Sequence, residues 1–278
     1  MNIYYLDGQF VEDTQARISV DDLSVLRGFG IFDFLRTYNG APFHLSDHLL
    51  RLQRSARLIG LHLPYSLTAL TEIVKESLAR NSHAESNIRI VVTGGLSLDG
   101  ITPGDAPKLL VMITPVKPMP GEWYREGAKV ITSHVERFMP GAKSINYIPA
   151  ILCQAEARSR QAIESLYVDR DGYLLEGTTS NLVVVRGDAL ITPPCERILP
   201  GITRQVVLEL ARKEVVVEER QLHKDEIRLL DEAFLTSSVK EVVPVTAIDS
   251  IKIGAGRPGR RTLRIMELFR EYTAAYHG

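Results

Sequence analysis

The chain has 278 residues, 45% of them apolar and 24% charged, with a formal net charge of −1. That length can bury one large or two smaller cores, and the even charge leaves no basic stripe for a nucleic acid. No apolar run approaches the roughly eighteen residues of a membrane span, so small-molecule chemistry is the expected work of the chain. The start, Met1-Asn2-Ile3-Tyr4, lacks the basic and apolar stretches of a signal peptide. Cys153 and Cys195 lie far apart with no CxxC. A reducing cytoplasm fits, and neither thiol has an obvious histidine partner for catalysis.

Residues 3–6, the pair Asp7-Gly8 and residues 9–11 read as a hairpin, because Asp-Gly supplies the positive φ of a tight turn. A short edge strand is expected over 17–20. Residues 26–38 read as a strand with a start loosened by Gly28 and Gly30 and an end at Asn39-Gly40. The third glycine and following helix of a dinucleotide loop are missing there. Ser46 or Asp47 can cap a helix with Leu49, Leu52, Ala56 and Ile59 on its core face and Arg51 off that face. His44 and His48 have a zinc-compatible spacing, but His44 falls before the cap and no metal is assigned. A second helix is expected over 66–81, then strands over 87–93 and 108–114 flanking a glycine-rich loop, 94–104, mobile enough to be a lid. The prolines Pro115, Pro118 and Pro120 mark a boundary. A small N-terminal domain is therefore expected over 1–116, a linker over 117–124 and a larger domain over 125–278.

Beyond the linker, residues 128–134 read as a strand, Gly141-Ala142-Lys143-Ser144-Ile145-Asn146-Tyr147 as a loop, and 148–163 as a helix. Strands follow over 166–169, 173–176, 182–185 and 189–192. The run Leu199-Pro200-Gly201-Ile202-Thr203 opens a helix whose first amides lack partners, an arrangement that attracts phosphate; an ordinary capped helix start is the alternative. Residues 233–238 form a further expected strand, ending in the hydroxyls of Ser237 and Ser238, which can bind phosphate or a carboxylate or simply face water. Gly254-x-Gly256-x-x-Gly259 leads into a helix over 261–276 with no strand after it, so it is a turn and not a dinucleotide site. There is no GxSxG elbow and no GxxxxGK[ST] loop. Lysine chemistry remains: Lys143 is a candidate amine nucleophile, although a lysine taken alone reads as a solvated loop residue.

Four ordered motifs then carry a resemblance: Lys143-Ser144-Ile145-Asn146-Tyr147, Glu176-Gly177-x-x-x-Asn181-Leu182, Leu199-Pro200-Gly201-Ile202-Thr203-Arg204 and His48-Leu49-Leu50-Arg51-Leu52. Together the sequence resembles the class IV aminotransferases, the fold-type IV enzymes that use pyridoxal 5'-phosphate, and nearest the D-amino-acid transaminase branch. The resemblance implies an α+β fold, with a small N-terminal α/β domain, a larger β-rich C-terminal domain and the cofactor between them, in a homodimer whose active sites are completed across the interface. It implies that Lys143 forms a Schiff base with the cofactor aldehyde and then shuttles the substrate α-proton. Glu176 would face the pyridine nitrogen, Tyr147 the phenolate oxygen, and Arg51, Ile202, Thr203 and Ser238, with Ser237 beside them, the phosphate.

For the substrate, branched-chain members usually have a tyrosine where this chain has Arg27, and a tyrosine-x-arginine where it has Asn87-Ile88-Arg89. The arginine and histidine that many D-amino-acid transaminases place after this strand are absent from Thr93-Gly94-Gly95. Arg27, from the neighbouring subunit, and Arg89 are instead expected to clamp a carboxylate, with structural ion pairing as the alternative. With Phe32 to Gly40 resembling the D-amino-acid branch, the expected substrates are D-alanine or D-glutamate with 2-oxoglutarate or pyruvate. A branched-chain L-amino-acid transaminase and an aminodeoxychorismate lyase are the alternatives.

Overall fold

The computed structural model describes residues 1–278. The chain forms two compact units: unit 1 is Met1–Lys117, Ala142–Tyr147 and Tyr276–Gly278, and unit 2 is Pro118–Gly141 and Ile148–Ala275. This differs from a single cut over 117–124. The physical reason is backbone pairing: Phe32 N donates to Lys143 O at 2.9 Å and Ile145 N to Gly30 O at 3.1 Å, so the lysine segment pairs with a strand of unit 1.

Unit 1 opens with β1 (Ile3–Leu6) and β2 (Gln9–Glu12), joined through Asp7 and Gly8 at φ 46° and 99°. No strand forms over 17–20. Instead Asp22 caps α1 (Leu23–Arg27) by accepting from Ser24 N at 2.7 Å, and Gly28 ends the helix in the left-handed region at φ 63°. The expected strand start at 26–28 is therefore a helix end, and β3 (Gly30–Tyr38) begins after it. The short β4 (Ala41–Pro42) precedes α2 (Leu45–Leu58), for which His44 and not Ser46 or Asp47 stands at the N-terminal cap. Ser66 caps α3 (Leu67–Ala79), and β5 (Ser86–Thr93) and β6 (Leu109–Pro115) complete a sheet of order β2-β1-β6-β5-β3-β4. The loop between them is braced: Asp99 accepts from Ser97 Oγ, Ile101 N and Thr102 N.

Side chains alternate along these strands, so each presents two different faces. Ile31 and Leu35 of β3, Ile88, Ile90 and Val92 of β5, and Leu109, Val111 and Ile113 of β6 are buried with Leu49, Leu52 and Ala56 of α2 and Leu70 and Val74 of α3. Each aliphatic side chain so buried contributes about 1.5–3 kcal/mol. The other parity of β3 carries Phe32 and Phe34.

In unit 2 a short α4 (Glu122–Arg125) leads into β7 (Ala128–His134) and α5 (Ile148–Ser159). β8 (Glu164–Val168), β9 (Tyr173–Gly177), β10 (Asn181–Arg186) and β11 (Ala189–Thr192) follow, then α6 (Ile202–Ala211). The rest is β12 (Val216–Glu219), β13 (Leu222–His223), β14 (Glu232–Ser237), β15 (Glu241–Ile248), β16 (Ile251–Lys252) and α7 (Arg260–Ala274). The sheet runs β12-β11-β10-β14-β15-β7-β8-β9-β13, and a further pairing of Glu176 with Asn181 joins β9 to β10. The path β10-β14-β15-β7-β8-β9 thus closes on itself, around Val130, Leu166, Val168, Leu182, Val184, Leu235 and Val245. Closure removes unpaired strand edges.

The glycine run at 254–259 is the expected turn into a helix. A Cβ on Gly259 would lie 2.0 Å from Glu232 Cδ, because that carboxylate accepts from Arg261 N and Thr262 N and caps α7.

Candidate active site

The candidate lysine lies in unit 1. Its backbone is held twice over: by the pairing with β3, and by Lys143 N donating to Ser55 Oγ at 3.0 Å. Ser55, fully buried on α2, donates in turn to Arg51 O at 2.8 Å. The Lys143 ammonium lies 4.8 Å from the centre of the Phe32 ring, and Tyr147 packs edge-on against the same ring at 5.4 Å. The site is only partly buried, so the lysine remains accessible to a carbonyl.

Arg51 does not sit off the core face as expected. It is buried, and its Nε and Nη2 bind Asp33 Oδ2 and Oδ1 at 2.9 and 2.7 Å in a forked pair. His48 Nδ1 approaches Asp33 Oδ1 at 2.6 Å. Burial works to raise the Asp33 pKa, but Arg51 and then His48 outweigh it and hold the carboxylate well below its ordinary range. Burial lowers the His48 pKa against the pull of Asp33. A neutral His48 then donates Nδ1–H to Asp33, and both nitrogens of the guanidinium edge are oriented by one carboxylate. Helix periodicity alone gave no sign of this, because the partner that draws Arg51 inward lies on β3.

Arg89 stands at the strand position opposite Phe34, with its guanidinium carbon 5.2 and 5.1 Å from the centres of the Phe32 and Phe34 rings. Burial lowers its pKa, and Tyr147 partly restores it. Arg27 is exposed at the end of α1, where its Nη1 donates to Leu26 O.

Unit 2 holds a buried carboxylate and a helix start. Glu176, buried at the end of β9, takes Arg137 Nη1 at 2.9 Å on one oxygen; the other accepts from Leu199 N at 3.0 Å and from Asn181 Nδ2 at 3.4 Å. Arg137 is a member of this site that no sequence motif marked. Asn181 also donates to Leu199 O at 2.9 Å, which ties the strand to the turn before α6. The structure places Ile202 and Thr203, both buried, at the first turn of α6, behind Gly201, with no side chain capping that end. Uncapped amides at a helix start favour an anion. Ser237 and Ser238 lie where β14 turns into β15, and Ser237 Oγ accepts from Lys240 N at 3.0 Å.

A Cβ on Gly201 would lie 2.0 Å from Asn181 Oδ1. Gly201→Ala is therefore expected to push Asn181 off Glu176 and Leu199 and to cost about 1–3 kcal/mol in a urea titration, with weaker binding of phosphate-bearing ligands.

Comparison with known proteins gives this chemistry its family. The family model described as amino-transferase class IV matches residues 30–248. A putative branched-chain-amino-acid aminotransferase of Methanocaldococcus jannaschii is 34% identical over 276 residues, 96% of this chain and 95% of the relative. A D-alanine aminotransferase of Bacillus licheniformis is 32% identical over 264 residues, 93% of each. Among solved structures, the T.th. branched-chain amino acid aminotransferase with pyridoxamine 5'-phosphate superposes with a TM-score of 0.92 at 30% identity, covering 99% of this chain and 95% of that one. The Escherichia coli enzyme of the same name gives 0.91 at 27% identity, covering 97% and 94%.

The chain belongs to the class IV aminotransferases, with the fold-type IV architecture and pyridoxal-phosphate dependence of that family. The residues present fit such a cofactor: an amine, a buried carboxylate with its own arginine, and an uncapped helix start suited to phosphate. No helix is long and apolar enough to cross a membrane.

Proposed function

We propose that this aminotransferase works on D-amino acids, moving the amino group between a donor of the D-alanine or D-glutamate type and 2-oxoglutarate or pyruvate. The observation that carries the reading is the run from Phe32 to Gly40, which resembles the D-amino-acid branch; Arg89, a half-buried cation set against Phe32 and Phe34 with no carboxylate of the chain paired to it, supports a carboxylate substrate of either hand. A guanidinium so placed gains most from an incoming substrate carboxylate, which it can bind in a fork. In a homodimer, Arg27 of the partner subunit supplies a second cation, and the pair suits a dicarboxylate as well as an α-carboxylate. The D-alanine aminotransferase relatives and the run from Phe32 to Gly40 support the stereochemistry.

Pyridoxal phosphate supplies an aldehyde that condenses with amines and a ring that accepts the electrons of the substrate α-carbon. The chain does the rest. Lys143 Nζ removes the α-proton and returns it on the other side of the exchange. Glu176, oriented by Arg137 and Asn181, would face the ring nitrogen of the cofactor, where a carboxylate keeps that nitrogen protonated, and Tyr147 would donate to its phenolate oxygen. Arg51, the amides of Ile202 and Thr203, and the hydroxyls of Ser238 and Ser237 would hold its phosphate.

The branched-chain reading is favoured by the 34% identity to the Methanocaldococcus jannaschii relative and by the similarity to two solved branched-chain aminotransferases. To separate the two, the cofactor-loaded protein is mixed with D-alanine, D-glutamate, L-leucine and L-glutamate in turn and the cofactor absorbance followed. Fast spectral change with the D-enantiomers alone is the expected result. Change with L-leucine and L-glutamate instead overturns it, and release of pyruvate without an amino acceptor would point to lyase chemistry.

A further inference from the structure

One buried ion pair of unit 2 has no part in the roles given above. Glu164, on β8, is fully buried, and Lys240, in the turn from β14 to β15, approaches its Oε2 at 2.8 Å. Taking two charges out of water costs several kcal/mol per ion, so such a pair is weak evidence of added stability by itself. Its wiring points to another role.

Glu164 Oε1 accepts from Thr179 N at 2.5 Å, from Thr178 Oγ1 at 3.0 Å and from Thr179 Oγ1 at 3.0 Å. The same oxygen would lie 2.9 Å from a Cβ on Gly177, so glycine at that position is what lets the carboxylate approach. One side chain therefore touches the three consecutive residues that follow Glu176. Lys240 Nζ also donates to Thr179 Oγ1 at 2.7 Å, and Lys240 N donates to Ser237 Oγ, closing the turn that carries Ser237 and Ser238. Tyr124 Oη holds the carbonyl of Lys240 at 3.1 Å. Burial opposes ionisation of Glu164, but Lys240 and the donors of Thr179 and Thr178 outweigh it and keep the carboxylate below its usual range.

We propose that the Glu164–Lys240 pair is a positioning device for the cofactor, locking Thr178 and Thr179, just after β9, to the 237–240 turn so that the Ser238 hydroxyl meets the phosphate while Glu176 meets the ring. This rests on the assignment of Ser238 to the phosphate made above. The lysine acts through the turn and touches neither ligand nor substrate. A purely structural tie would weaken binding of any ligand through general loosening, whereas a device that places the phosphate-binding hydroxyl acts on the phosphorylated ligand in particular.

The test compares pyridoxamine 5'-phosphate with phosphate-free pyridoxamine, titrated by fluorescence into the full-length protein after the resident cofactor has been exchanged out. Lys240→Met is expected to weaken the phosphorylated ligand about ten-fold while changing pyridoxamine less than about two-fold, and Lys240→Arg to restore most of the difference. If Lys240→Met does not fold, the double variant Glu164→Gln/Lys240→Met, which leaves no unpaired buried charge, is read in its place. Equal weakening of both ligands, or of neither, overturns the proposal. Ser238→Ala separates the two levels of inference. If it leaves the preference for the phosphorylated ligand unchanged, the assignment of Ser238 falls and the proposal with it. If it lowers that preference while the lysine variants do not, the assignment stands and the positioning role falls.

Discussion

Lys143→Ala is expected to slow the half-reaction with an amino acid about a thousand-fold or more, because it removes both the amine that holds the cofactor and the base that moves the α-proton. The fold should survive. What anchors the segment is backbone pairing with β3 and the donation of Lys143 N to Ser55, none of which needs the side chain, and what is lost is one ammonium over the Phe32 ring. Stopped-flow absorbance and circular dichroism melting check the two halves of the statement. A melting point near that of the parent with an absent visible cofactor band supports the assignment. A variant that still gives a borohydride-reducible adduct removes Lys143 from its role.

The second large effect concerns stability. Asp33→Asn keeps the shape of the side chain but removes the carboxylate charge that forks the buried Arg51 guanidinium, a loss of about 3–5 kcal/mol that a urea midpoint reads directly. Because the same carboxylate orients the Arg51 guanidinium, phosphate-bearing ligands should also bind more weakly. The parent protein carries a pH signature of this network. Asp33 has a folded pKa below its unfolded value of about 3.9, so the unfolded state binds the extra proton; the stability that the group contributes above about pH 4 is lost as pH falls further. His48, with its pKa lowered by burial, has the same sign at higher pH, since the unfolded imidazole takes up its proton from about pH 6.5 downward while the folded one resists. Urea titrations between pH 3 and 8 should show stability declining on the acid side in both windows. In Asp33→Asn the lower window should flatten, and an unchanged profile below pH 4 would show that Asp33 does not carry it.

Much of the fold was legible where local chemistry decides it. Asp7-Gly8 announced the first hairpin, Ser66 the start of α3, and the glycines at 254–259 a turn and not a nucleotide site. The misreadings have separable causes. Leu26 and Arg27 read as the start of a strand over 26–38, but they end a helix that Asp22 caps, and the second oxygen of Asp22 is fixed by Thr93 Oγ1 from β5, a partner seventy-one residues away. β15 went unread because Pro244 sits in its middle, and a proline in a central strand lacks a ladder donor. The strand tolerates it because Pro244 is paired with Phe234 of β14, while its other neighbour, β7, joins only from Val245 onward.

The site divides in the same way. Lys143, Glu176 and the helix start at Ile202 stand in short motifs whose spacing is itself informative. Asp33, Ser55 and Arg137 support them through contacts between residues 15 to 88 positions apart, and no local pattern encodes such partners. Ser55 alone left a trace, one helical turn beyond Arg51.

The placement of residues 142–147 in unit 1 bears on how the chain acquires its shape during synthesis. Residues 1–117 leave the ribosome first, yet the free flank of Gly30–Phe32 receives its pairing only after a strand of unit 2 and the loop behind it have been made. His44, meanwhile, waits for the hydroxyl of Tyr276, some 230 residues later. The first unit to be translated is thus the last to be finished, and its unpaired strand flank is an aggregation-prone surface for as long as it waits. A gene split at the proline-rich boundary would yield an N-terminal fragment without its reactive amine, whereas a rearranged reading frame that begins with residues 142–147 fused ahead of β3 would let that unit close early.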